Sequence, residues 1–117
     1  MIEKQIIQGL LTDEEYTRTV IPFLKADYFV QVDQRLVFQT FSDYFEKYNC
    51  LPTHSAITID LSQRTNVDEN TIAGATSLVD SLDTEAKIDD WLIDQTETFC
   101  QDKAIYNAIM SGIEVIE

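Results

Sequence analysis

Basic side chains are scarce in this chain: eight Lys and Arg stand against 21 Asp and Glu, a formal net charge of −13 at pH 7. A phosphate backbone is held through clustered Lys and Arg, so direct nucleic-acid binding is disfavoured, and anionic membrane surfaces are disfavoured for the same reason. The acidity fits a solvated protein with basic partners. Glycine is rarer still. Gly9, Gly74 and Gly112 are too few and too scattered for a glycine-rich phosphate cradle, and no GxxxxGKS or GxxxxGKT run occurs, which excludes nucleotide hydrolysis of that type. No apolar run approaches the ~20 residues of a membrane span. The two cysteines, Cys50 and Cys100, show neither a CxxC nor a framework spacing, so reduced thiols are expected. The opening MIEKQIIQGLL carries Glu3 and lacks a small-residue cleavage site, unlike a signal peptide, so a cytoplasmic location is expected.

What is present is helix. At 117 residues, with 44% hydrophobic content and only two prolines, the chain reads as one ordered, mainly helical domain. Its densest apolar stretch is Asp33 to Tyr48. There Val37, Phe41, Tyr44 and Tyr48 recur at steps of four, three and four, with Phe38 and Phe45 beside them. At about 100° per residue these six cover one core-facing arc, with Phe41 and Tyr44 expected at its centre, while Arg35, Gln39, Asp43, Glu46 and Lys47 take the other side.

The remaining helices are read around that one. Ile2, Ile6, Ile7, Leu10 and Leu11 form a first amphipathic face. Thr12-Asp13-Glu14-Glu15 matches a capping box, with Thr12 as the expected N-cap of a second helix that Pro22 disturbs. Ala26-Asp27-Tyr28-Phe29 reads as a tight connection returning two aromatics to the core. Asn49 and Pro52 should end the aromatic helix, and Thr53 should cap the next, which carries Ala56, Ile57 and Leu61 inward. A further helix is expected from about Asp68 to Leu82, with Ile72, Ala75, Val79 and Leu82 inside. Ala56 to Ile59 is the one place where a strand competes.

From Ile88 onward the pattern changes. Ile88, Leu92, Gln95, Phe99, Asp102, Tyr106, Ile109, Ile113 and Ile116 alternate steps of four and three, flanked by Trp91 and Ile105. This is the seam of a helix packing along another helix. If helical throughout, it is a rod of roughly 43 Å, longer than a domain of this size is wide. The expected division is a helical head over residues 1–83 and a long helix over 84–117. Trp91, Phe99, Tyr106, Ile109 and Ile113 are the candidate self-association residues of that helix.

A search for chemistry is mostly negative. His54 is the single histidine and follows a capping residue, which suits a surface or capping role. Asp89, Asp90, Asp94 and Glu97 share one helix without any metal-binding spacing and read as a solvated acidic face. No catalytic residue, cofactor or metal ligand is assigned.

Several stretches, in order, resemble the N-terminal domain of DnaB-type replicative helicases. They are Ile6-Ile7-Gln8-Gly9-Leu10-Leu11 before an acidic capped helix, Leu24-Lys25-Ala26-Asp27-Tyr28-Phe29, Gln34-Arg35-Leu36-Val37-Phe38, and Tyr48-Asn49-Cys50-Leu51-Pro52-Thr53. The long helix with Thr96-Glu97 and Lys103-Ala104-Ile105 is similar to the segment that begins that family's helical hairpin. Gln34 stands where the family has His, and His54 where its turn has Asp. The Tyr48–Pro52 and Trp91–Glu97 stretches are closer to helicases of T-even-type bacteriophages than to bacterial ones.

The resemblance implies an all-α head that contributes to a hexameric collar, regulates ring assembly and engages primase or a helicase loader, with no direct nucleic-acid or membrane binding. The long helix would be the first arm of a truncated hairpin, and this chain alone would dimerise. The ATPase motor would lie outside this sequence, in the host-cell cytoplasm if the source is a phage. A second reading, resting on the charge, is a free-standing acidic phage regulator that binds a basic host protein. A reading frame continuing past Glu117 into a phosphate-loop motif would separate the two.

Overall fold

Six α-helices and two 3-10 turns make up a computed structural model that describes residues 2–116, with side chains for 2–112; no strand occurs among the described residues. The helices are α1 (Ile2–Thr12), α2 (Glu14–Val20), α3 (Val32–Tyr48), α4 (His54–Ser62), α5 (Glu69–Asp80) and α6 (Asp90–Ile116). The all-α reading and the long last helix are therefore observed. Ala56 to Ile59 lie inside α4, so the competing strand does not form.

The helix boundaries follow local chemistry. Asp13, not Thr12, caps α2: its carboxylate accepts from the Tyr16 N–H at 2.9 Å, while Thr12 closes α1 and donates its hydroxyl to Gln8 O at 2.7 Å. A charged acceptor is the stronger cap, and a threonine still in helical register satisfies itself on the preceding turn. Pro22 converts the end of α2 into the 3-10 turn Ile21–Phe23. Asn49 ends α3 at φ 56°, and Arg18 of α2 holds it there by donating to its side-chain and main-chain oxygens. Thr53 caps α4 as the sequence implies, while Asp68, expected inside the first turn of the next helix, stands just before it and caps α5, accepting from the Thr71 N–H at 2.7 Å.

α3 packs against α1, α4, α5 and the second 3-10 turn, Ala26–Tyr28; α6 packs against α1, α2 and that same turn. The centre of the core holds Ile6, Ile7, Leu10, Tyr16, Phe29, Val37, Phe41, Ile57 and Leu61, each at most 2% exposed. Phe29 joins the two halves. Its ring stacks on Phe38 of α3 at 5.1 Å and meets Phe99 of α6 at 5.6 Å.

The aromatic stripe of α3 is buried only along its first half. Val37, Phe38 and Phe41 are inside, but Tyr44 and Phe45 are half-buried and Tyr48 is 53% exposed. Tyr44 is thus not a core centre. The last turns of α3 run beyond the layer that covers it, and the Tyr44 and Tyr48 rings lie against each other instead, tilted at 46° with centroids 4.7 Å apart. The buried polar residues of α3 are Gln34 and Thr40, the latter accepting from Arg64 Nε at 3.0 Å.

Candidate interaction surface

α6 is positioned by its first three turns. Leu92, Thr96, Phe99 and Cys100 point into the core. The Thr96 hydroxyl donates to Leu92 O at 2.7 Å, so its one proton is engaged and the Tyr16 hydroxyl, 2.6 Å away, is the donor between the two. This buried bond ties α2 to α6 across 80 residues. α1 approaches the same point closely because residue 9 has no side chain. A Cβ there would stand 2.7 Å from the Tyr16 ring and 3.2 Å from Leu92. Gly9→Ala should therefore destabilise the head by up to about 2 kcal/mol, an overpacking cost of ~1–3 partly offset by the ~1 kcal/mol helix preference for alanine. A denaturant midpoint equal to or above that of the parent chain would contradict this.

The clasp also makes stability alkali-sensitive. Burial pushes the Tyr16 phenol from 10.0 up to about 12 and the neighbouring Cys100 thiol from 9.0 up to about 11. The unfolded chain then releases these protons first, so stability is level below pH ~9 and falls from there to ~12. Tyr16 alone contributes a slope of up to about 1.4 kcal/mol per pH unit in its window. Urea midpoints measured across that range should decline, and Tyr16→Phe should flatten the upper part; a midpoint holding steady through pH ~11 would contradict the assignment. A thiol so raised stays protonated at neutral pH, as suits a buried structural cysteine.

Past Lys103 the head ends and α6 continues. Ile105, Tyr106, Ile109 and Met110 are 60%, 59%, 57% and 41% exposed. Spaced i, i+1, i+4 and i+5, they form one stripe, rotated from the face that Leu92, Thr96 and Phe99 turn to the core. The 27 residues of α6 make a rod of about 40 Å, close to the molecule's longest dimension of 46 Å. A shallow depression of about 440 Å³ at the N-terminus of α1, lined by Ile2, Phe99, Asp102, Lys103 and Tyr106 among others, joins the head to the start of the stripe.

The sequence-derived seam is divided by this geometry. Phe99 lies in the head's own core, against Tyr28 and Phe29. Trp91 is 54% exposed at the opposite end of α6 from the stripe. Tyr106 and Ile109 lie on the stripe, and the side chain of Ile113 falls outside the described residues. Ile105, read as a flank, and Met110, missed altogether, belong to the stripe itself. Strict heptad stepping overlooked them because the exposed face needs only neighbours at three and four residues.

The polar residues singled out in the sequence lie on the surface. His54 is exposed and pairs with Asp80 at 2.7 Å. Asp89, Asp90, Asp94 and Glu97 are exposed, Asp89 accepting from the Leu92 N–H at 3.2 Å. Among the described residues, no group of three or more His, Cys, Asp or Glu is arranged to hold a metal ion, and no helix is long and apolar enough to cross a membrane.

The described residues thus form an all-α head from which α6 carries an uncovered apolar stripe. The chain belongs to the DnaB-like helicase N terminal domain family, which matches residues 1–93. It is 24% identical over 110 residues to the DnaB-like replicative helicase of Enterobacteria phage T4, a stretch covering 94% of this chain and 23% of that protein's length. The stripe lies beyond the family match and inside the region similar to the phage helicase.

Proposed function

We propose that this chain is the collar domain of a hexameric replicative DNA helicase, acting in ring assembly and in docking primase and a helicase loader. The ATP-driven motor of the parent protein lies outside these residues, and the long helix is the first arm of a hairpin. The observation that carries this reading is the uncovered stripe of Ile105, Tyr106, Ile109 and Met110 on a helix that continues past its own head. Contiguous exposed apolar surface of this kind marks a partner surface. In the isolated chain the partner available is a second copy.

Sedimentation across a wide concentration range tests this. The expected result is a reversible shift from monomer to dimer as concentration rises. A chain that stays monomeric into the millimolar range would overturn the assembly role of α6.

A further inference from the structure

A second uncovered surface lies on the other side of α6. Between α2, the 3-10 turn Ile21–Phe23 and α6 runs an apolar groove of about 370 Å³, lined by Thr19, Val20, Phe23, Ile93, Glu97 and Cys100 among others. Its floor is Val20 and Cys100, both buried, with Ile93 half-buried beside them. Its wall is Phe23, which is 67% exposed. That ring contributes little to the core, yet its backbone is held: Pro22 fixes the turn and Leu24 N–H closes it on Ile21 O at 3.3 Å. A rigid exposed aromatic beside an apolar floor is what an interface anchor looks like before its partner arrives.

The rim settles the kind of partner. Glu97 lines the groove, and Asp94 and Asp90 lie one and two turns earlier on the same side of α6; all three are exposed. Across the groove, Glu15 lies one turn before Thr19 on α2 and is exposed as well. No Lys or Arg lines the groove. The one arginine of α2, Arg18, is turned away to Asn49 and lies over the Phe45 ring at 5.2 Å.

We infer that this groove receives an amphipathic helix with a cationic flank from a partner protein, its apolar face seated against Phe23, Val20 and Ile93 and its basic residues facing Glu97, Asp94 and Glu15. Helix-in-groove recognition supplies apolar anchors at one-turn spacing, and opposite charge on the rim sets register and selectivity. The inference rests on reading the domain as an interaction module, but not on the stripe: it uses the opposite side of α6.

The test uses the full chain and two fluorescent model peptides, a Leu/Lys amphipathic helix and its Leu/Glu counterpart, by anisotropy at about 150 mM salt, where long-range attraction is screened. The Leu/Lys peptide should bind, and its amide NMR perturbations should centre on Val20, Phe23, Ile93 and Glu97. Phe23→Ala, at an exposed position that leaves folding intact, should weaken binding about tenfold or more, as loss of an anchor does. Glu97→Lys should weaken it too and reduce its salt dependence.

Equal binding of the Leu/Glu peptide, perturbations centred on Ile105 to Met110, indifference to Phe23→Ala, or no binding would each overturn the inference. Sedimentation of the same samples reads self-association separately. A chain that dimerises but ignores the peptide refutes the groove alone, and one that binds the peptide as a strict monomer refutes the assembly role alone.

Discussion

Replacing Ile105 and Ile109 together by glutamate is expected to leave the head folded and to abolish concentration-dependent self-association. Both side chains stand mostly in water, at 60% and 57% exposure, so the isolated chain loses almost no buried area when they change. Glutamate is also at least as good a helix former as isoleucine. The opposite holds in a dimer. Fully burying an apolar side chain contributes roughly 1.5–3 kcal/mol, and these are already about half covered, so four per chain in two chains contribute on the order of 6–12 kcal/mol. Association costs about 4–15 kcal/mol in lost freedom. The two terms are of the same size, so the parent dimer is weak, and the loss of four apolar contacts with four new carboxylates in their place removes it. Circular dichroism and sedimentation read the two halves of this expectation. An unfolded head would show that the stripe belongs to a core; an unchanged dimer would show that another surface makes it.

Phe41→Ala should act on the head itself, costing about 3–5 kcal/mol, the range for truncating a buried aromatic. Phe41 is 1% exposed on α3, the helix that α1, α4 and α5 all touch, and it stacks on Phe45 at 5.8 Å. Against the ~5–15 kcal/mol that holds a domain folded, this is a large share. Tyr48→Ala, on the same face but 53% exposed, should stay within about 0.5 kcal/mol. Denaturant unfolding of the two variants side by side checks the pair. A Phe41 loss below about 1 kcal/mol would mean that α3 is not the central helix.

The contrast between Phe41 and Tyr48 also marks how far the sequence could be read. Periodicity states which side of a helix is apolar; it carries no information on where along the axis the covering layer stops. On α3 the covering thins after Phe41, so Tyr44 ends half-buried and Tyr48, correct in azimuth, finishes at the surface. On α6 it stops near Lys103, so one continuous seam becomes a core anchor at Leu92 and Phe99 and an open stripe at Tyr106 and Ile109. Trp91 shows the same limit at the other end. The groove beside Phe23 left no periodic trace, because its walls come from α2, a turn and α6, far apart in the chain.

What the residues determined by themselves was local and compositional. The 3.6-residue repeats, the cap at Thr53, the left-handed Asn49 and the return of Tyr28 and Phe29 require only neighbours within a few positions. The excess of acid over base disfavoured phosphate-backbone binding without any fold. The order of short motifs was enough for the family. Tertiary structure decided which apolar surfaces meet one another and which remain open. Thr12 or Asp13 as cap, Gly9 as the gap for the Tyr16 ring, Tyr16 bonding Thr96 and Phe29 bridging Phe38 to Phe99 all depend on distances between segments remote in sequence. A side chain's chemistry is carried by the residue, but its burial is a property of whatever the rest of the chain places against it.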